Sequence, residues 1–320
     1  MSYRKRNYLV TGATGFIGRR LVERLAREDL SIHCVVTHER SHASRLPAIP
    51  GVIPIEVDMT NHHLLHRAME TIKPDVVINL AAQGVQPADR DGYSLLAGNA
   101  GILAHLLGSL EEFPPRIFLH MGSWSEYAGP VDADLVTEDH PLDPLSLYGA
   151  AKAAASIYGN ALARQLEIPF IVLRLFNVFG VGERQKRLIP YLIDCLSRDE
   201  PAELTQGNQT RDFVYADDIV EAILVAANTE HLPPNVYNVC SGRPVDVRLV
   251  AETVADIMGK PQELLDFGAR PTRVDEPLWM VGDNSRFTSA TPWRPEISLE
   301  EGILRMVEAG KAVGVGSGEA

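Results

Sequence analysis

Thr11-Gly12-Ala13-Thr14-Gly15-Phe16-Ile17-Gly18 comes directly after the short apolar run Tyr8–Thr11 and opens a helical pattern in which Ile17, Leu21 and Leu25 share one face. Glycines let a chain turn tightly and let backbone approach a pyrophosphate, while the N-terminus of the next helix offers N–H groups and a partial positive charge. In this setting Gly12, Thr14, Gly15, Phe16, Ile17 and Gly18 predict a dinucleotide-binding strand–turn–helix.

Outward from that turn, short apolar runs alternate with helical patterns. Ile32–Thr37, Val52–Val57, Val76–Leu80, Arg116–Met121 and Phe170–Leu175 read as strands, and 16–28, 61–72, 91–111 and 146–167 as helices. The alternation predicts an α/β fold, a Rossmann-type doubly wound parallel sheet with ligands beyond the carboxyl ends of its strands. After about Gly180 the pattern is less regular, with helices expected near 187–199, 216–228, 246–259 and 299–309 and a strand at Val236–Cys240. This predicts a dinucleotide-binding domain over 1–180, rejoined by parts of 211–240. Residues 181–320 then form mainly a smaller C-terminal α/β substrate domain. The glycine-rich stretch 310–320 reads as a frayed tail.

The 320 residues are 45% hydrophobic and 22% charged, as in ordinary globular proteins, which excludes disordered, collagen-like and disulfide-scaffold classes. Acidic residues outnumber basic ones 42 to 30, a net charge of -12, so nucleic acid and anionic membranes are not expected partners. Cys34, Cys195 and Cys240 are far apart and contain no Cys-x-x-Cys, which fits a reducing cytoplasm and suggests no zinc site. Glycines cut the apolar run after Val10 too early for a signal peptide.

The cofactor type turns on the residues just beyond the second strand, where an acidic residue holds a ribose 2′-hydroxyl and an arginine accommodates a 2′-phosphate. Arg40, with Arg45 nearby, points to NADP, and Glu39 leaves NAD open. Asp58-Met59 after the third strand is placed to flank an adenine, Asp58 reading equally as a helix N-cap. Tyr148 and Lys152, four apart in a helical stretch, project from one face, and an ammonium beside a phenol favours the phenolate. Ser123 stands at the end of the run Ile117–Met121, where such sheets present ligands.

These features, taken together, resemble the extended short-chain dehydrogenases/reductases, the NAD-dependent epimerase/dehydratase family acting on nucleotide sugars. The resemblance is carried by Thr11–Gly18, Leu80-Ala81-Ala82, Asn99, Gly122–Tyr127, Tyr148–Lys152, Arg174–Gly180, Arg211–Phe213, Tyr237–Gly242 and Trp293–Pro295. It implies that Ser123, Tyr148 and Lys152 are catalytic. It also implies that Leu80, Ala81, Ala82, Tyr148 and Lys152 line the cofactor, that Asn99, lying behind the active-site helix, belongs to the cofactor-binding set with them, and that the protein is a homodimer through helices 91–111 and 146–167. Asn177, Arg187, Arg211 and Arg273 are expected on a sugar nucleotide's diphosphate, for which arginine forks and amides are suited.

Three reactions share this catalytic set. A 4,6-dehydratase of the family would carry an Asp-Glu pair directly after the catalytic hydroxyl, where this chain has Trp124-Ser125. Ser123 with Glu126-Tyr127, and the string Arg273–Pro277, most resemble the nucleotide-linked 4-keto-6-deoxyhexose reductases such as GDP-6-deoxy-4-ketomannose reductase. The expected reaction is therefore reduction of a C4 keto group with Tyr148 as general acid and Ser123 and Glu126 on the substrate. The alternatives are an NAD-dependent UDP-hexose 4-epimerase, a 4,6-dehydratase and a non-catalytic NADP sensor. His62, His63 and His66 lack a further ligand in sequence, and no metal is expected.

Overall fold

Strands covered by helices on both faces must be apolar on both sides, and Val76-Val77-Ile78 and Ile117-Phe118-Leu119 are. In the computed structural model, which describes residues 6–36, 46, 48–84, 91–129, 133–230, 232–272 and 276–315, both runs form central strands. The first six strands are β1 Asn7–Thr11, β2 Ser31–Val36, β3 Val52–Glu56, β4 Val76–Asn79, β5 Ile117–Ser123 and β6 Phe170–Leu175. The next five are β7 Asn177–Phe179, β8 Ala202–Leu204, β9 Thr210–Arg211, β10 Phe213–Tyr215 and β11 Val236–Val239. The last three are β12 Val245–Asp246, β13 Leu265–Phe267 and β14 Trp279–Met280.

Seven strands make one sheet in the order β11-β6-β5-β4-β1-β2-β3, every pair parallel. Successive side chains point to opposite faces. Val10, Ile78 and Leu119 thus join Leu21, Ile219 and Ile223 in one core layer, while Leu9, Val77 and Phe118 join Leu65, Met69 and Leu106 in the other. A third cluster packs Ile189 and Leu192 with Val250, Val254 and Ile303, away from the large sheet. Short sheets β10-β7, β12-β9-β14 and β13-β8 lie in the later part of the chain.

The strand order reverses at β1 and β4, which opens a crevice at their carboxyl ends. Three features depart from the expected elements, one being helix Leu299–Val315, which runs past 309 into the stretch expected to fray. The helix expected over 91–111 is Gly92–Leu96, a π-helical turn at Ala97–Gly101 and Ile102–Gly108, the wider turn holding Asn99. Strands of two or three residues and the helix Ser285–Ala290 are too short to leave a periodicity in sequence.

Candidate active site

The glycine turn is shaped by contact between backbones. Gly12 has φ +67°, and a Cβ there would lie 2.7 Å from the Leu80 carbonyl carbon and 2.8 Å from the Ala81 nitrogen. A Cβ on Gly18 would lie 2.1 Å from the Gly12 oxygen. Thr11 ties the two strand ends together: its hydroxyl donates to Asn79 Oδ1 at 2.5 Å and accepts from the Ala81 N–H at 3.2 Å. Helix Phe16–Leu25 starts at Gly15 with no side chain capping it, Gly15 exposed and Thr14 half-exposed. A bare helix start in a cradle without Cβ atoms, walled by the backbone of Leu80-Ala81, fits the pyrophosphate of a dinucleotide.

Asn99 is 3% exposed and spends its amide on the protein: Nδ2 donates to Gln83 O at 3.0 Å and Leu95 O at 2.7 Å, and Oδ1 accepts from Gln83 N at 3.4 Å. It fixes the chain after Ala82, so the direct cofactor contact expected of it is corrected to a supporting one. Asp58 Oδ1 accepts from the Thr60 N–H at 2.9 Å and hydroxyl at 2.7 Å, and these bonds hold its carboxyl below the usual range. It is not the N-cap, a place taken by Asn61. Met59 beside it is 7% exposed. Arg40, Arg45 and Arg273 lie outside the described residues.

Ser123, Tyr148 and Lys152 are brought together. Ser123 ends β5, and helix Leu147–Gln165 packs against it so closely that a Cβ on Gly149 would lie 2.1 Å from the Ser125 oxygen. The Ser123 side chain lies near enough to the Tyr148 phenol to favour its ionised form, and Ser123 Oγ meets Ser125 Oγ at 2.8 Å. Lys152, 2% exposed, donates to the Met121 carbonyl. Burial brings its ammonium from 10.5 down to about 8. Burial, with the Glu126 charge adding, pushes the Tyr148 phenol up to about 12, while the Arg187 guanidinium and the Ser123 side chain oppose the rise. The expected lowering of Tyr148 by Lys152 is thus corrected: loss of solvent dominates.

The expected substrate residues separate. Glu126 is 0% exposed, its Oε1 accepting the Ser123 N–H at 2.7 Å and its Oε2 facing Arg174 Nε at 2.9 Å. A carboxylate so enclosed cannot touch a sugar, and its substrate role is withdrawn. Ser123-x-x-Glu126 is a capping box, a signal readable in sequence. Arg211 meets Glu276 at 3.0 Å and stands 6.0 Å over the Trp124 ring. Asn177 Nδ2 donates to Asp212 O at 3.0 Å, and Arg187 pairs with Glu183 at 3.3 Å. Beside Ser125 a small cavity is lined by Trp124, Leu145, Ser146, Pro277 and Met280. The rings of His62, His63, His66 and His105 cluster, and among the described residues no group of side chains is arranged to hold a metal ion.

The model of the NAD dependent epimerase/dehydratase family matches residues 8–240. The UDP-glucuronate 4-epimerase of Thermodesulfobacterium geofontis is 29% identical over 320 residues, 95% of this chain and 96% of that one. A probable UDP-glucuronate 4-epimerase of Rhizobium meliloti is 26% identical over 336 residues, 94% of this chain and 96% of that one. Among solved structures, the UDP-glucose 4-epimerase of Thermotoga maritima with UDP-glucose has a TM-score of 0.87 at 25% identity, over 96% of this chain and 99% of that one. MoeE5 in complex with UDP-glucuronic acid and NAD has a TM-score of 0.85 at 28% identity, with the same coverage.

Proposed function

The chain belongs to the NAD dependent epimerase/dehydratase family, and from that premise we propose that it is an NAD-dependent 4-epimerase of a UDP-linked hexose or hexuronate. The observation that carries this is the full-length similarity to UDP-glucuronate and UDP-glucose 4-epimerases. It takes the place of the keto reduction expected from sequence. One support of that expectation, Glu126-Tyr127, is buried structure: Tyr127 is 2% exposed and its hydroxyl donates to Asn238 Oδ1 at 2.7 Å. The preference for NADP rested on Arg40 and Arg45, whereas the MoeE5 complex holds NAD.

Gly12, Gly15, Gly18 and Leu80-Ala81-Ala82 hold the dinucleotide in this reading, with Lys152 on its nicotinamide ribose. The chemistry supplied by a bound NAD is the reversible uptake of hydride from the sugar C4, without net consumption of reductant. As the C4 hydroxyl becomes a carbonyl, Tyr148 Oη would take its proton as the phenolate, the form that the positive charge of a bound NAD favours over the neutral phenol of the unliganded site, and would give it back once the sugar has turned its other face. Ser123 Oγ holds the C4 oxygen through both steps, a bond strongest where charge develops. Asn177, Arg187 and Arg211 grip the diphosphate, and the part after Gly180 closes over the sugar. Water elimination across two carbons needs a further acid–base pair, and Trp124-Ser125 offers none.

A second reading, reduction of a nucleotide-linked 4-keto-6-deoxyhexose, is favoured by one observation. A Tyr148 held protonated, at about 12, is a ready general acid. A thermal-shift panel separates the two, since a ligand that binds only the folded state raises its stability. UDP and NAD should raise the melting temperature; a response confined to GDP and NADP would replace the epimerase with the reductase.

The family resemblance also implies a homodimer. Leu96, Ile157 and Tyr158, on the packed helices Gly92–Leu96 and Leu147–Gln165, are 51%, 60% and 55% exposed, an apolar surface suited to a second copy of the chain.

A further inference from the structure

The turn after β5 carries a buried ion pair that the proposed proton transfers leave without a task. Both Glu126 oxygens are engaged, one by the Ser123 N–H and one by Arg174. The Arg174 guanidinium lies 4.5 Å over the Tyr127 ring. A Cβ on Gly122 would sit 2.6 Å from Glu126 Oε1 and 2.9 Å from Arg174 Cγ, so the strand is bare at the one place where the pair must pass. Burial of such a pair is poor evidence of a stabilising role, because apolar residues of similar volume usually serve stability as well or better.

Its position suggests another use. Glu126 is one hydrogen bond from the backbone of Ser123, which ends β5 beside the Tyr148 phenol. Its charge acts on Tyr148 and on Lys152, favouring the neutral phenol and the ammonium. The other groups facing this cluster are Arg187 toward Tyr148, His120 toward Lys152 and Glu138 toward Tyr127. We propose that Glu126, clamped by Arg174, is a positioning residue for the Ser123–Tyr148 pair: it pins the Ser123 backbone at the end of β5 and sets a fixed negative charge on the site. This role rests on the proton transfer given to Tyr148 above.

Two double variants test it, each leaving no unpaired buried charge: Glu126→Met with Arg174→Met, and Glu126→Gln with Arg174→Met. The first removes both the acceptor and the charge; the second keeps an acceptor for the Ser123 N–H. The Met/Met variant should lose about tenfold or more in kcat, with KM for the nucleotide sugar changed no more than about twofold, since small misplacements of reacting groups are costly. The Gln/Met variant should recover most of that loss. In both, the tyrosinate absorbance that disappears on adding Tyr148→Phe should titrate at lower pH than in the parent, because the charge opposing ionisation is gone. A lower melting temperature with unchanged kcat and unchanged titration would mean a purely structural pair and overturn the proposal. If the parent chain epimerises no UDP-sugar, the functional reading fails on its own. The titration needs no substrate and still decides, an unmoved Tyr148 overturning the role of Glu126.

Discussion

Loss of solvent moves the half-buried Tyr148 and the buried Lys152 in opposite directions. A phenol deprived of water resists ionising and an ammonium deprived of water sheds its proton, hence about 12 and about 8. If Tyr148 carries the proton, Tyr148→Phe should lower turnover by about 10² to 10⁴. NAD binding by the variant, measured by calorimetry, should be nearly unchanged. For Lys152 the folded state binds fewer protons than the unfolded one between about pH 8 and 10.5, so its burial costs stability below that window and the cost is relieved as pH rises through it. Urea unfolding should show the parent gaining on Lys152→Met across that range, by at most on the order of 3 kcal/mol; a constant difference would contradict the assigned shift. The spacing of Tyr148 and Lys152 was legible in sequence because a helix fixes which residues share a face. The burial that decides their ionisation was not, since it depends on β5 and the turn after it. Glu126 was misread for the same reason, although Ser123-x-x-Glu126 announced a cap.

At the scale of elements, the site depends on how closely helix Leu147–Gln165 approaches the turn Trp124–Glu126. Gly149 permits that approach, a Cβ there falling 2.1 Å from a backbone oxygen that cannot swing aside. Gly149→Ala should therefore separate Tyr148 from Ser123 and lower kcat by about tenfold or more. The same change in an open helix would be stabilising, so a variant of full activity and raised melting temperature would contradict the close packing. Long helices and the six early strands were readable from period and apolar runs. The π-helical turn at Ala97–Gly101 was not, because no residue pattern marks the widened turn in which Asn99 reaches Gln83 and Leu95. The pairing of β7 with β10, which seats Asn177 beside Asp212, joins strands of three residues that carry no pattern of their own.

Across the whole molecule, a net charge of -12 coexists with a site proposed to hold two diphosphate ligands. A helix start and a few arginines act at short range, where they outweigh the distant field. Among the described residues no helix is long and apolar enough to cross a membrane. If Ile157 and Tyr158 lie between two copies, Ile157→Asp with Tyr158→Asp should halve the mass seen by light scattering; an unchanged mass would place the interface elsewhere. Fold class was legible throughout because a single strand–turn–helix and its alternation fix the sheet. The reaction was not, since one Ser-Tyr-Lys set serves epimerases and reductases alike. The most direct measurement incubates the chain with UDP-glucuronate or UDP-glucose and NAD, resolving the sugars by NMR and monitoring dinucleotide absorbance. A 4-epimerase should accumulate the C4 epimer to equilibrium with no net reduced dinucleotide. No epimer, together with stoichiometric oxidation of NADPH by a nucleotide-linked 4-keto-6-deoxyhexose, would contradict that assignment.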